Sequence, residues 1–210
     1  MFAAALQRTP GLQLIAVLPR FPDQDGRISK PPNLLGRERA IATLRNAAPG
    51  RVAFYGLESP EGVPVYVHAK VCIIDDQWAS VGSDNFNRRS WTHDSELSCV
   101  VLDEDYARSL RLRLAAEHLD RLPALERRSR DDVMGDVNDP HAMYDAYAAA
   151  ASALDSWHEG GRIGPRPPGR LRTLPLAALG ALRRKLASVP LNRVHDPDGR
   201  PGPLRGGTEY

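Results

Sequence analysis

Cysteine, lysine and aromatic residues are scarce in this 210-residue sequence, and no apolar run approaches the roughly 18 residues needed to span a bilayer. The start, MFAAALQRTPG, lacks the basic segment and long apolar stretch of a secretory signal, so a cytoplasmic location is expected. Two cysteines, Cys72 and Cys99, do not make a zinc site without well-spaced histidines. Both lie in apolar runs and read as buried core thiols. There is no HExxH, and the acids do not fall at EF-hand spacing, so neither a metal nor another cofactor is expected. A net charge of +2 is too modest to argue for nucleic acid, whose binders usually show a concentrated basic face, so bulk charge does not choose the partner. Only Lys30, Lys70 and Lys185 are lysines. Arginine supplies the rest of the basic charge, which makes a lysine inside a motif stand out.

What is present reads as α/β. Leu12 to Leu18 is a continuous apolar run of strand length, Leu34 to Ala47 carries apolar residues at helical spacing, and Arg51 to Leu57 is a second strand. A strand, helix, strand series implies a sheet covered by helices. Three closely spaced strands follow, Val65 to Ile74, Trp78 to Val81 and Glu96 to Leu102, with Asp75-Asp76 as a tight turn. The polar stretch from Ser83 to Asp94 is too long for a hairpin and reads as a functional loop. Asp103-Glu104-Asp105 supplies an N-cap and first-turn carboxylates for a helix from Tyr106 to Leu119 in which Leu110, Leu114 and His118 recur at i, i+4 spacing. The expected division is a compact half domain over 1–122 and a helical, partly irregular extension over 123–210. The extension holds a helix around Ala142 to Trp157, an interrupted amphipathic helix over Leu171 to Val189, and a loosely ordered tail rich in Pro, Gly and Arg.

The chemistry concentrates in VHAKVCIIDDQWASVGSDNFNRRSWTHDSE, residues 67–96. On a strand, His68 and Lys70 share one face, setting an imidazole beside a fixed positive charge. Metal-free phosphodiester transfer needs a nucleophile in line with the departing oxygen, an acid opposite it, and cationic or neutral donors around the equatorial oxygens. His68 suits nucleophile or acid, Lys70 supplies charge, and Ser83 and Asn85 supply donors beside Gly82. Glu96 is the candidate to hold an imidazole nitrogen, with Asp94 as rival, and Asp75 is expected to fix the strand end. Asn87, Arg88, Arg89 and Trp91 form a loop suited to a lipid headgroup, a partner or single-stranded nucleic acid. None of the other five histidines has a lysine two residues on, so a second imidazole must come from elsewhere.

The arrangement HxKxxxxDxxxxxxGSxN, met without a gap by His68, Lys70, Asp75, Gly82, Ser83 and Asn85, resembles the signature of the phospholipase D superfamily. The resemblance covers about Leu12 to Leu119 and is nearest to the second half of two-motif phospholipase D, transphosphatidylase and cardiolipin synthase-like enzymes. It implies a mixed β-sheet between helices, two motifs meeting at a pseudo-twofold axis, and a phosphohistidine intermediate. It further implies phosphate binding by Lys70 and Asn85, a histidine oriented by an acid where Glu96 lies, and His68 as general acid. A phospholipid substrate with peripheral contact at the inner membrane face is expected, nucleic acid being the lesser reading. Because the first motif is absent from these residues, the expectation is a half-enzyme completed by a homodimer mate or a complementary chain, or else inert alone.

Overall fold

The computed structural model of the chain describes residues 1–21, 30–174 and 191. After helix α1 (Phe2–Arg8), strand β1 (Leu14–Val17), helix α2 (Lys30–Ala47) and strand β2 (Val52–Glu58) form a βαβ unit, with β1 and β2 parallel and Leu14 opposite Val52. Every residue of β2 except Ala53 is buried, as befits a central strand. It also pairs antiparallel with the two-residue β3 (Pro64–Val65) and with β7 (Leu171–Thr173). A second sheet is an antiparallel meander of β4 (Lys70–Ile74), β5 (Trp78–Gly82) and β6 (Ser98–Val101). Helix α3 (Arg88–Thr92) lies between β5 and β6. Helix α4 (Glu104–His118) packs on the meander, followed by α5 (Leu122–Leu125), α6 (Arg130–Met134), a 3-10 turn and α7 (Pro140–Glu159). The fold is thus α/β, with mixed sheets flanked by helices. Among the described residues no helix is long and apolar enough to cross a membrane.

One core gathers Tyr55 and Leu57 of β2, Leu112 and Ala115 of α4, Met134, Val137, Tyr147 and Ala151 from beyond residue 122, and Leu171 of β7. Burial of a side chain such as Leu171 or Met134 stabilises by about 1.5–3 kcal/mol. Two polar clamps lock this arrangement. Glu58, fully buried at the end of β2, accepts hydrogen bonds from His158 Nε2 at 2.9 Å, Arg166 Nη2 at 3.1 Å and Arg172 Nη1 at 2.9 Å. Arg111, in the middle of α4 and 7% exposed, grips both carboxylate oxygens of Asp76 at 2.6 Å and donates to the carbonyls of Val137 and Asn138.

Several expectations are corrected. Val65 to Ile74 is not one strand: β3 pairs with Leu57 and Glu58 while β4 pairs with β5, and the chain crosses between the sheets over residues 66–69. His68 therefore stands outside the hydrogen-bonded ladder. Leu171 begins a strand rather than a helix, because its backbone completes the edge of β2 and Arg172 is held by Glu58 and Asp155. Residues 175–190 and the tail lie outside the described residues. Cys72 is only half-buried because it lies with Lys70 and Ile74 on the face of β4 turned away from α4, and Cys99 is exposed on β6 opposite Val81. On α4 the buried positions are Ala107, Arg111, Leu112, Ala115 and Ala116, one step round from the expected stripe.

Candidate active site

The meander sets the motif in rows. Lys70 pairs with Gly82 and Gly82 with Ser98. Carrying the β5–β6 register two residues outward sets Asp84 opposite Glu96 on the face that bears Lys70, and His68 lies two residues before Lys70, outside the ladder. Gly82 is required at this crossing. A Cβ there would overlap the Ser98 hydroxyl and come within 2.5 Å of Ser98 Cα and 2.6 Å of the Leu97 carbonyl. Ser83 extends the ladder beyond the strand: its N–H donates to Leu97 O at 3.0 Å, and its Oγ accepts from Leu97 N at 3.0 Å. Asp84, passed over in the sequence as the variable position of GSxN, accepts from the Ser98 hydroxyl. Its signal was alternation alone, since two residues beyond Gly82 is the same face.

The loop that follows is built on Ser90, which is 5% exposed. Ser90 Oγ receives Asn85 N at 3.2 Å and Asn85 Nδ2 at 3.4 Å, and Ser90 N donates to Asn87 Oδ1 at 2.8 Å, making Asn87 the N-cap of α3. Arg89 Nε reaches both carboxylate oxygens of Asp94 at 2.8 Å. Trp91 packs edge-on to Phe86 with centroids 5.9 Å apart. Arg88 sits in the first turn of α3, its carbonyl accepting from Thr92 Oγ1 at 2.7 Å.

His68 is exposed, its ring stacked on Tyr66 at 5.9 Å, and its carbonyl accepts from Lys70 Nζ at 2.8 Å. That contact uses one of the three ammonium protons and leaves two for a ligand. Glu96 is half-buried just before β6 and makes no hydrogen bond to the His68 ring. Asp75 is not brought to this end. It sits in the β4–β5 turn with φ 52°, beside Asp76 at φ 55°, about 17 Å from Lys70 by strand rise. The acid that anchors this turn is Asp76, through Arg111. His68, Lys70, Ser83, Asp84, Asn85 and Glu96 therefore share one open strand end, while Asp75 belongs to the opposite end.

Among the described residues no group of three His, Cys, Asp or Glu side chains is placed to hold a metal ion. The arrangement can bind an oxyanion through Lys70 and transfer a proton at His68.

Residues 37–116 match the family model described as "Cardiolipin synthase, PLD-like domain". The chain is 38% identical to phospholipase D A of Dictyostelium discoideum over 92 residues, covering 35% of this chain and 7% of that protein. It is 42% identical to cardiolipin synthase 1 of Staphylococcus aureus over 53 residues, covering 25% of this chain and 10% of that protein. It is 40% identical to cardiolipin synthase 2 of Staphylococcus epidermidis over 76 residues, covering 33% and 14% respectively. The chain thus spans a small part of the length of these relatives. With the motif set at one strand end and the matching stretch spanning it, residues 37–116 are a phospholipase D-like domain.

Proposed function

We propose that the chain is one half of a phospholipase D-type phosphodiesterase or phosphatidyltransferase acting on phospholipids, completed by a second histidine-lysine motif from a complementary half. The observation that supports this reading is the open strand end at the Lys70–Gly82–Ser98 row, where the exposed His68 lies two residues before Lys70, Asp84 two beyond Gly82 and Glu96 two before Ser98. Lys70 and Asn85 bind the non-bridging phosphate oxygens. The imidazole of the second motif attacks phosphorus, the bond to the headgroup oxygen breaks, and protonated His68 delivers its proton to that oxygen. Water or an alcohol then attacks the phosphohistidine, giving its proton to His68 and freeing the first imidazole. Every step is proton or phosphoryl transfer, so activity should persist in EDTA.

The test is release of phosphatidic acid from phosphatidylcholine mixed micelles by this chain supplied with a first-half domain. Loss of release in His68→Ala and Lys70→Ala supports the assignment. Silence of the paired halves, or release indifferent to His68, counts against it.

A further inference from the structure

An apolar groove of about 440 Å³ starts at Lys70 and runs along the exposed face of the β4–β5 hairpin. Cys72, Ile74 and Trp78 form its floor, and Phe86 and Trp91, with Met1 and Phe2 beside them, its wall. Alternation puts Cys72 and Ile74 on the same face as Lys70, and the pairings of Lys70 with Gly82 and Ile74 with Trp78 fix the length of the floor at about 13 Å. Ile74 is 44% and Phe86 56% exposed, so this is unfilled apolar surface and not part of the core. Among the described residues Asp84 is the only carboxylate in its lining and accepts from the Ser98 hydroxyl, and Lys70 keeps two ammonium protons for an anion.

We infer that this groove receives an acyl chain of the lipid whose phosphate lies at Lys70, an assignment that rests on the phosphate site proposed above. The occupant follows from charge and shape together. A cation at one end of a straight apolar trough fits an amphiphile with an anionic head, and a sugar-phosphate backbone, charged at every repeat, does not fit a floor of Cys72, Ile74 and Trp78. The groove would thereby select lipid over nucleotide phosphodiesters.

Two of the chain's three tryptophans line the groove, which gives a direct readout. Butyl, hexyl, octyl and decyl phosphate are titrated below their micelle concentrations against the Trp157→Phe chain, following Trp78 and Trp91 emission. Affinity should rise two- to fourfold per added methylene, the upper figure being a fully buried CH2 at about 0.8 kcal/mol. Ile74→Glu, at an exposed position, should flatten that dependence while butyl phosphate still binds, and Ile74→Ser should flatten it partly. Lys70→Ala should weaken all lengths alike. Binding independent of chain length, or a dinucleotide phosphodiester that binds as tightly as octyl phosphate, overturns the groove assignment alone. Failure of every alkyl phosphate to bind the folded chain overturns the phosphate site and the groove with it.

Discussion

Gly82 carries the tightest steric demand in the motif. With Ser98 Cα 2.5 Å from where a Cβ would stand, Gly82→Ala must separate β5 from β6 at the row that presents Lys70. The expected loss is about 2 kcal/mol, read from the urea midpoint, with a parallel loss of phosphate binding. A neutral alanine would mean that β6 is free to shift. His118 makes a different single-residue prediction. Burial, aided by Arg170, pushes its pKa down to about 4, and its Nδ1 lies 2.8 Å from the Tyr147 hydroxyl. The folded state therefore holds the neutral ring while the unfolded chain takes up a proton near pH 6.5. Stability is full above that value and falls between pH 6.5 and about 4, by roughly 3 kcal/mol in all. His118→Gln should remove the slope in that window, as followed by denaturant unfolding at several pH values.

At the scale of elements, the β4–β5 hairpin is held at both ends by unlike devices. Ser83, Asp84 and Ser98 tie its open end, and Arg111 pins its turn through Asp76. Arg111→Met leaves the Asp76 carboxylate half-buried without its cation and frees the Val137 and Asn138 carbonyls, so a loss of about 3 kcal/mol is expected in chemical denaturation. A loss below 1 kcal/mol would show that the turn holds without it. The sequence displayed these elements unevenly. The apolar runs of β1 and β2, the Asp75-Asp76 turn and the Asp103 cap, which accepts from Tyr106 N at 2.7 Å, are local signals and were legible. The break at residues 66–69 was not, because the valines and tyrosine on either side favour strand equally, and only the change of partner from β2 to β5 interrupts them. Arg111 sits where helical spacing suits either of two adjacent stripes, and its carboxylate partner lies 35 residues away. The side-chain roles followed the same rule. His68, Lys70, Ser83 and Asn85 could be singled out by type and spacing, whereas the place of Asp84 beside Ser98 required the strand register.

For the whole molecule, the core does not stop at residue 122. Tyr147, Ala151 and Leu171 close over Tyr55 and Leu57, and Glu58 ties β2 to α7 and β7 through His158 and Arg172. A chain cut after Leu122 should therefore lose its cooperative unfolding transition, which calorimetry reads. Burial alone would raise the Glu58 pKa, but hydrogen bonds from His158, Arg172 and Arg166 outweigh it and hold the carboxyl below its ordinary value. Its contribution is present above the unfolded carboxyl range near pH 4.3 and disappears as pH falls through the lower folded value, beneath the His118 window.

That scaffold presents the His68–Lys70 strand end, proposed above as half of a phosphodiester site. The most direct measurement is phosphatidic acid production from phosphatidylcholine mixed micelles, comparing the wild-type chain with His68→Ala, each combined with a first-half domain bearing its own histidine-lysine pair. The account predicts turnover with wild type, none with His68→Ala, and none from either chain by itself. Turnover that survives the loss of His68 would contradict it.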